Sequence, residues 1–127
     1  MTQAVYLDYN ATAPIRPEAA DAALAALKTG GNPSSVHAAG RAARAIVEKA
    51  REQVAALVGA RPADVIFTSG GTEANALAIE SAVLGAGCRR LIIGATEHPC
   101  VIETAMATRL PLDVWPVDAD GRADLAW

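Results

Sequence analysis

The chain has 127 residues and a formal net charge of −3, with 52% hydrophobic and 20% charged residues. This composition excludes a disordered segment, the charge gives no electrostatic reason to expect nucleic acid or an anionic membrane surface, and no apolar run reaches the length of a membrane span. Cys88 and Cys100 are the only cysteines; they are too few and too far apart for a disulfide framework or a zinc site, and with an N-terminus lacking basic and apolar signal regions they point to a reducing cytoplasm.

The length suits one domain with a core of its own. Much of the apolar total is alanine and aromatics are only 4%. That core is expected to be thin and to need further surface to pack against.

In chain order, Val5-Tyr6-Leu7 reads as a short extended segment and Asp8–Pro14 as a polar loop. Pro17 suits the first turn of a helix whose apolar face is Ala20, Ala23, Leu24 and Leu27, closing near Gly30-Gly31. Asn32-Pro33-Ser34-Ser35 has turn chemistry. A longer helix is expected from about Ala38 to Leu57, with Ala42, Ile46, Ala50, Val54 and Leu57 at three- and four-residue steps, and Gly59 ends it.

Val65-Ile66-Phe67 is a run of β-branched and aromatic residues, the pattern of a short buried strand. Thr68-Ser69-Gly70-Gly71 breaks the run, and a helix follows from near Thr72 to Gly85. Leu91-Ile92-Ile93 reads as a second strand and Pro99–Arg109 as a helix with proline in its first turn. Leu112, Val114 and Val117 alternate as a third strand. Asp118–Gly121 is a turn, and Asp124–Trp127 resembles the first turn of another helix. Three strands each followed by helix imply an α/β fold with a mainly parallel sheet and flanking helices. Ligands of such sheets bind beyond the carboxyl ends of the strands, where Thr68–Thr72 and Ala95–His98 both fall.

The glycine turn before the third helix is an anion seat by its chemistry. The first N–H groups of a helix lack internal partners, the dipole is positive there, and glycines admit close approach. Gly71 and Thr72 are its candidate residues, although GxxxxGK[ST] and GxGxxG are both absent, and a capped helix explains the same residues. His98, at a helix start on the same edge, can stack on an aromatic ligand or move protons; a surface or capping histidine is the alternative. Cys100 reads as a small packed residue rather than a nucleophile. Asp8–Thr12 and Gly31–Ser35 can line a site or serve as ordinary turns. Asp118-x-Asp-Gly lacks the later ligands of a calcium loop.

Four stretches in order, Tyr6–Pro14, Gly31–His37, Phe67–Ile79 and Thr96-Glu97-His98, resemble the start of the cysteine desulfurases, pyridoxal-phosphate enzymes of the class V aminotransferase group. The resemblance spans essentially the whole chain and only roughly the first third of a family member. It implies the N-terminal part of the large domain of an aspartate aminotransferase type I fold, with residues 1–14 as an arm and active-site loop and residues 15–127 as an incomplete large domain. The implied cofactor is pyridoxal 5'-phosphate, with Gly71 and Thr72 on its phosphate, His98 stacked on its ring and assisting proton transfer, and Asn10, Ala11 and Thr12 on the substrate side. The implied reaction takes sulfur from L-cysteine, leaving L-alanine, and passes it to an acceptor protein of iron–sulfur cluster assembly or thiolation; the implied assembly is a homodimer.

The family's Schiff-base lysine, the aspartate that pairs with the pyridine nitrogen and the persulfide cysteine lie downstream of the matching stretches. Lys28 and Lys49 are the only lysines, neither in the family's Ser-x-His-Lys context. The 127 residues are therefore expected to be an inactive N-terminal portion of such an enzyme. A selenocysteine lyase or another class V aminotransferase matches the same motifs, and a non-catalytic phosphate-binding or partner-binding α/β module is the reading from another class.

Overall fold

The computed structural model describes residues 5–127, so the first four residues of the expected arm lie outside the described residues. The chain divides at Ile66/Phe67 into two compact units.

In the first unit, Tyr6 closes the N-terminal loop: its hydroxyl donates to the Asp8 carbonyl at 2.6 Å, and the Thr12 carbonyl lies 3.1 Å away. The Ala11 N–H donates to the Asp8 carbonyl at 3.2 Å. Helix α1, Pro17–Thr29, begins with proline in its first turn and stops at Gly30, whose φ of 63° is left-handed. Helix α2, Ala38–Val58, matches the expected span to one residue and ends at Gly59, where a φ of 67° lets the glycine N–H reach the Ala55 carbonyl. Ala55 is 1% exposed. A single 3₁₀ turn, Pro62–Asp64, packs near α2, bridged by Arg61 to the Asp64 carboxylate. The loop before α2 is drawn onto the helix at Gly40, where a Cβ would lie 2.2 Å from the Ser35 carbonyl oxygen.

The second unit has the order α3 (Gly71–Leu84), β1 (Leu91–Gly94), α4 (Pro99–Ala107), β2 (Leu112–Trp115). The two strands pair in parallel, Leu91 opposite Leu112 and Gly94 opposite Trp115, with α4 as the crossover. Parallel pairing needs such a connection, because a tight turn reverses direction. Ile93, Cys100 and Ala105 are buried where α4 meets α3 and β1.

Three expectations are corrected. Val65–Phe67 is not a strand. Its residues favour extended backbone and Val65 is extended (φ −92°, ψ 122°), but the segment joins no sheet among the described residues, and a strand exists only through its ladder. The Val65 carbonyl accepts from the Arg51 guanidinium instead. Among the described residues the sheet therefore has two strands rather than three. The third expected strand stops at Trp115 because Pro116 has no N–H to donate; Val117 instead bridges to Ala123 in antiparallel sense around the Asp118–Gly121 turn. Asp124–Trp127 is a turn and not a helix. The Asp124 side chain accepts from the Ala126 N–H at 2.9 Å, and the Asp124 carbonyl takes the Trp115 indole N–H at 2.6 Å. Helix α4 also ends two residues early, at Ala107, with Arg109 at a φ of 58°.

Candidate functional site

The site begins with the turn into α3. The Glu73 carboxylate reaches back to accept both the N–H and the hydroxyl of Ser69, each at 2.6 Å. These bonds hold its carboxyl below the ordinary glutamate range. This is the carboxylate half of a capping box, shifted one residue outward, since the N-cap is Gly70, which has no side chain to complete it. The Thr68 hydroxyl donates to the Gly70 carbonyl at 3.1 Å. With Glu73 turned away, the N–H groups of Gly71 and Thr72 meet no acceptor among the described residues, and neither does the Thr72 hydroxyl.

The glycines are not needed for the backbone of the turn. Gly70 has a φ of 170°, extended backbone open to any residue, and the strained left-handed region is not used. A Cβ at Gly70 or Gly71 would meet nothing within 4 Å. Neither the backbone nor the packing of the fold demands glycine here. What the two glycines leave is bare helix N-terminus facing open space.

His98 enters from β1. After Gly94 the chain turns, with the Glu97 N–H on the Gly94 carbonyl at 3.3 Å, and His98 becomes the N-cap of α4. Its Nδ1 accepts the Cys100 N–H at 3.1 Å. A neutral ring so engaged carries its proton on Nε2, and the ring itself is exposed. Pro99 at the first helical position fixes the entry of the chain.

Gly71, Thr72, Asn75, His98 and Cys100 line one cleft of about 330 Å³. Gly71, Thr72 and His98 are thus brought together. The sequence pattern does not single out Asn75 and makes Cys100 a packed residue. Asn75 lies three and four residues beyond Thr72 and Gly71, so helical spacing alone puts it on their face. Its side-chain amide donates to Cys100 Sγ at 3.4 Å, and Cys100 is buried, the packed residue expected. Among the described residues, no carboxylate, lysine or arginine lines the cleft. Asn10, Ala11 and Thr12 belong to the first unit, as do Lys28 on α1 and Lys49 on α2. Among the described residues, no group of His, Cys, Asp and Glu is placed to hold a metal ion, and no helix is long and apolar enough to cross a membrane.

Residues 5–126 match the family described as Aminotransferase class-V. The chain belongs to the class V aminotransferases. Pyridoxal 5'-phosphate is the cofactor of this family, and the chain's relatives within it bear two activities in their names. It is 48% identical over 106 residues to a cysteine desulfurase of Frankia sp., covering 81% of this chain and 25% of that protein. It is 54% identical over 80 residues to a selenocysteine lyase of Bos taurus, covering 62% of this chain and 18% of the relative. A solved NifS-like protein superposes with a TM-score of 0.83 at 31% identity, over 96% of this chain and 35% of that one. The α/β architecture with a parallel sheet is therefore that of the NifS-like enzymes. The chain spans 25% and 18% of the length of these two curated relatives.

Proposed function

We propose that the Gly71–Thr72–His98 cleft seats pyridoxal 5'-phosphate. The observation that carries this reading is the coincidence in one cleft, among the described residues, of two first-turn N–H groups lacking acceptors, a hydroxyl lacking a partner, an exposed imidazole plane and no lining carboxylate. The N–H groups and Thr72 Oγ1 take the phosphate, helped by the α3 dipole. The imidazole lies along the pyridine ring, held by its Nδ1 bond, with Nε2 left to hold or move a proton. The cofactor supplies an electron sink to an amino acid held on it. The loop at Asn10, Ala11 and Thr12 is proposed to face the substrate, as an arm distinct from the large domain of residues 15–127.

For the whole protein we propose a cysteine desulfurase. Sulfur leaves L-cysteine and joins an acceptor thiol as a persulfide, and L-alanine is released, for iron–sulfur cluster assembly or thiolation. The acceptor is a protein, the compartment the cytoplasm and the assembly a homodimer. Cysteine desulfurases among the relatives support the substrate. The bovine match favours selenocysteine lyase as the second reading, separated from the first by whether the whole protein forms alanine faster from L-cysteine or from L-selenocysteine.

The seat is tested with pyridoxine 5'-phosphate, which has the ring and phosphate but no aldehyde to react with Lys28 or Lys49. Saturable binding is expected, weakened about tenfold in Thr72→Ala by loss of a hydrogen bond to a charged group. Equal binding of pyridoxine and its phosphate would overturn the proposal.

A further inference from the structure

We infer that Asn75 is a positioning residue that sets the spacing between the phosphate seat and the His98 ring. The inference rests on the proposed cofactor seat and deepens it. The seat belongs to the first turn of α3 and the ring to the cap of α4. Among the side-chain hydrogen bonds of the described residues, one crosses from α3 to α4: Asn75 Nδ2 to Cys100 Sγ, 3.4 Å. Each end is tied to one half of the site. Asn75 follows Thr72 by three residues on the same helical face, and the Cys100 backbone N–H is the group that His98 Nδ1 accepts. The path from Thr72 to the imidazole is one helical turn, one amide, one thiol and one cap bond. Cys100 is 9% exposed, so its sulfur does not wander, and the Thr104 hydroxyl on the Cys100 carbonyl (2.7 Å) adds to its anchoring within α4. A ligand bound by its phosphate at one point and its ring at another is sensitive to such spacing, because misplacement costs the second contact and spares the first.

The test compares two ligands and one property of the ligand-free chain. Asn75→Ala and Cys100→Ala are each expected to weaken pyridoxine 5'-phosphate about fivefold, the size of one modest hydrogen bond, and to leave inorganic phosphate within about twofold. The double variant is expected to be no weaker than either single one. Cys100→Ser, whose hydroxyl accepts the same amide, should recover most of the loss. Without ligand, Asn75→Ala should speed hydrogen exchange at the Cys100 amide about fivefold and leave Ile79 in mid-α3 unchanged. If wild type binds neither ligand, the cofactor seat fails, and the exchange measurement still decides the strut. Equal losses for both ligands, additive single variants, or an unchanged Cys100 amide would each overturn it.

Discussion

The residue on which the mouth of the cleft turns is Glu73. A carboxylate three residues into a helix would compete with a bound phosphate if it faced the same N–H groups. Here both donors of Ser69 draw it aside and lower its affinity for protons. A carboxyl whose folded value is lowered stabilises the fold fully above its unfolded value, and that contribution is lost as pH falls through the folded value. The Glu73 carboxyl should therefore titrate below its ordinary 4.5 when followed by NMR, and Ser69→Ala should move the midpoint up. A midpoint at or above 4.5 in the unaltered chain would show that the contact does not form in solution.

At the scale of elements, both histidines do the same structural work. His37 Nδ1 accepts the Gly40 N–H at the start of α2, and His98 Nδ1 accepts the Cys100 N–H at the start of α4. His98 is thus a cap as well as a ring, so the two alternatives open in the sequence are not exclusive. Substitution separates them. His98→Ala should destabilise α4 by about 1 kcal/mol, whereas His98→Asn keeps a cap and should stay within about 0.5 kcal/mol of wild type. Both should weaken pyridoxine 5'-phosphate to a similar extent, since neither has an imidazole. Hydrogen exchange at the α4 amides read beside ligand titration checks this; full ligand affinity in His98→Asn would mean that the ring plays no part.

The helices were legible in the sequence because their boundaries are local: Pro17 and Pro99 at the starts, Gly30 and Gly59 at the ends, and the three- and four-residue apolar spacing between act within the segment they bound. The Gly71–Thr72 turn and His98 were legible for the same reason. That Val65–Phe67 is no strand was not legible, because residues 65–67 carry the propensity and only a neighbour can supply the ladder. The contribution of Asn75 was hidden in a different way. Its helical face was readable, but its partner Cys100 is 25 residues away and reached only through the packing of α3 on α4. Asp124–Trp127 misled because aspartate caps helices and closes turns with the same side-chain bond.

At the scale of the whole molecule the thin core expected from alanine-rich composition is plain. The chain exposes 10255 Å². Two separate compact units of half its mass would together expose about 7,600 Å². Leu57 is 85% exposed, Leu84 84% and Ile92 58%, so the deficit lies within each unit and includes the sheet. The 127-residue chain alone should bind a hydrophobic dye and melt broadly, below about 45 °C. A sharp two-state transition above about 60 °C would show that it needs no further surface.

The central claim is that Gly71, Thr72 and His98 form one seat for a phosphorylated pyridine. Its most direct test is to map the amide and imidazole resonances of the chain during titration with pyridoxal 5'-phosphate. The account predicts the largest shifts at the Gly71 and Thr72 amides, with a ring-current shift at the His98 imidazole in the same saturable step. Shifts confined to the neighbourhoods of Lys28 and Lys49, with Gly71, Thr72 and His98 unmoved, would contradict it.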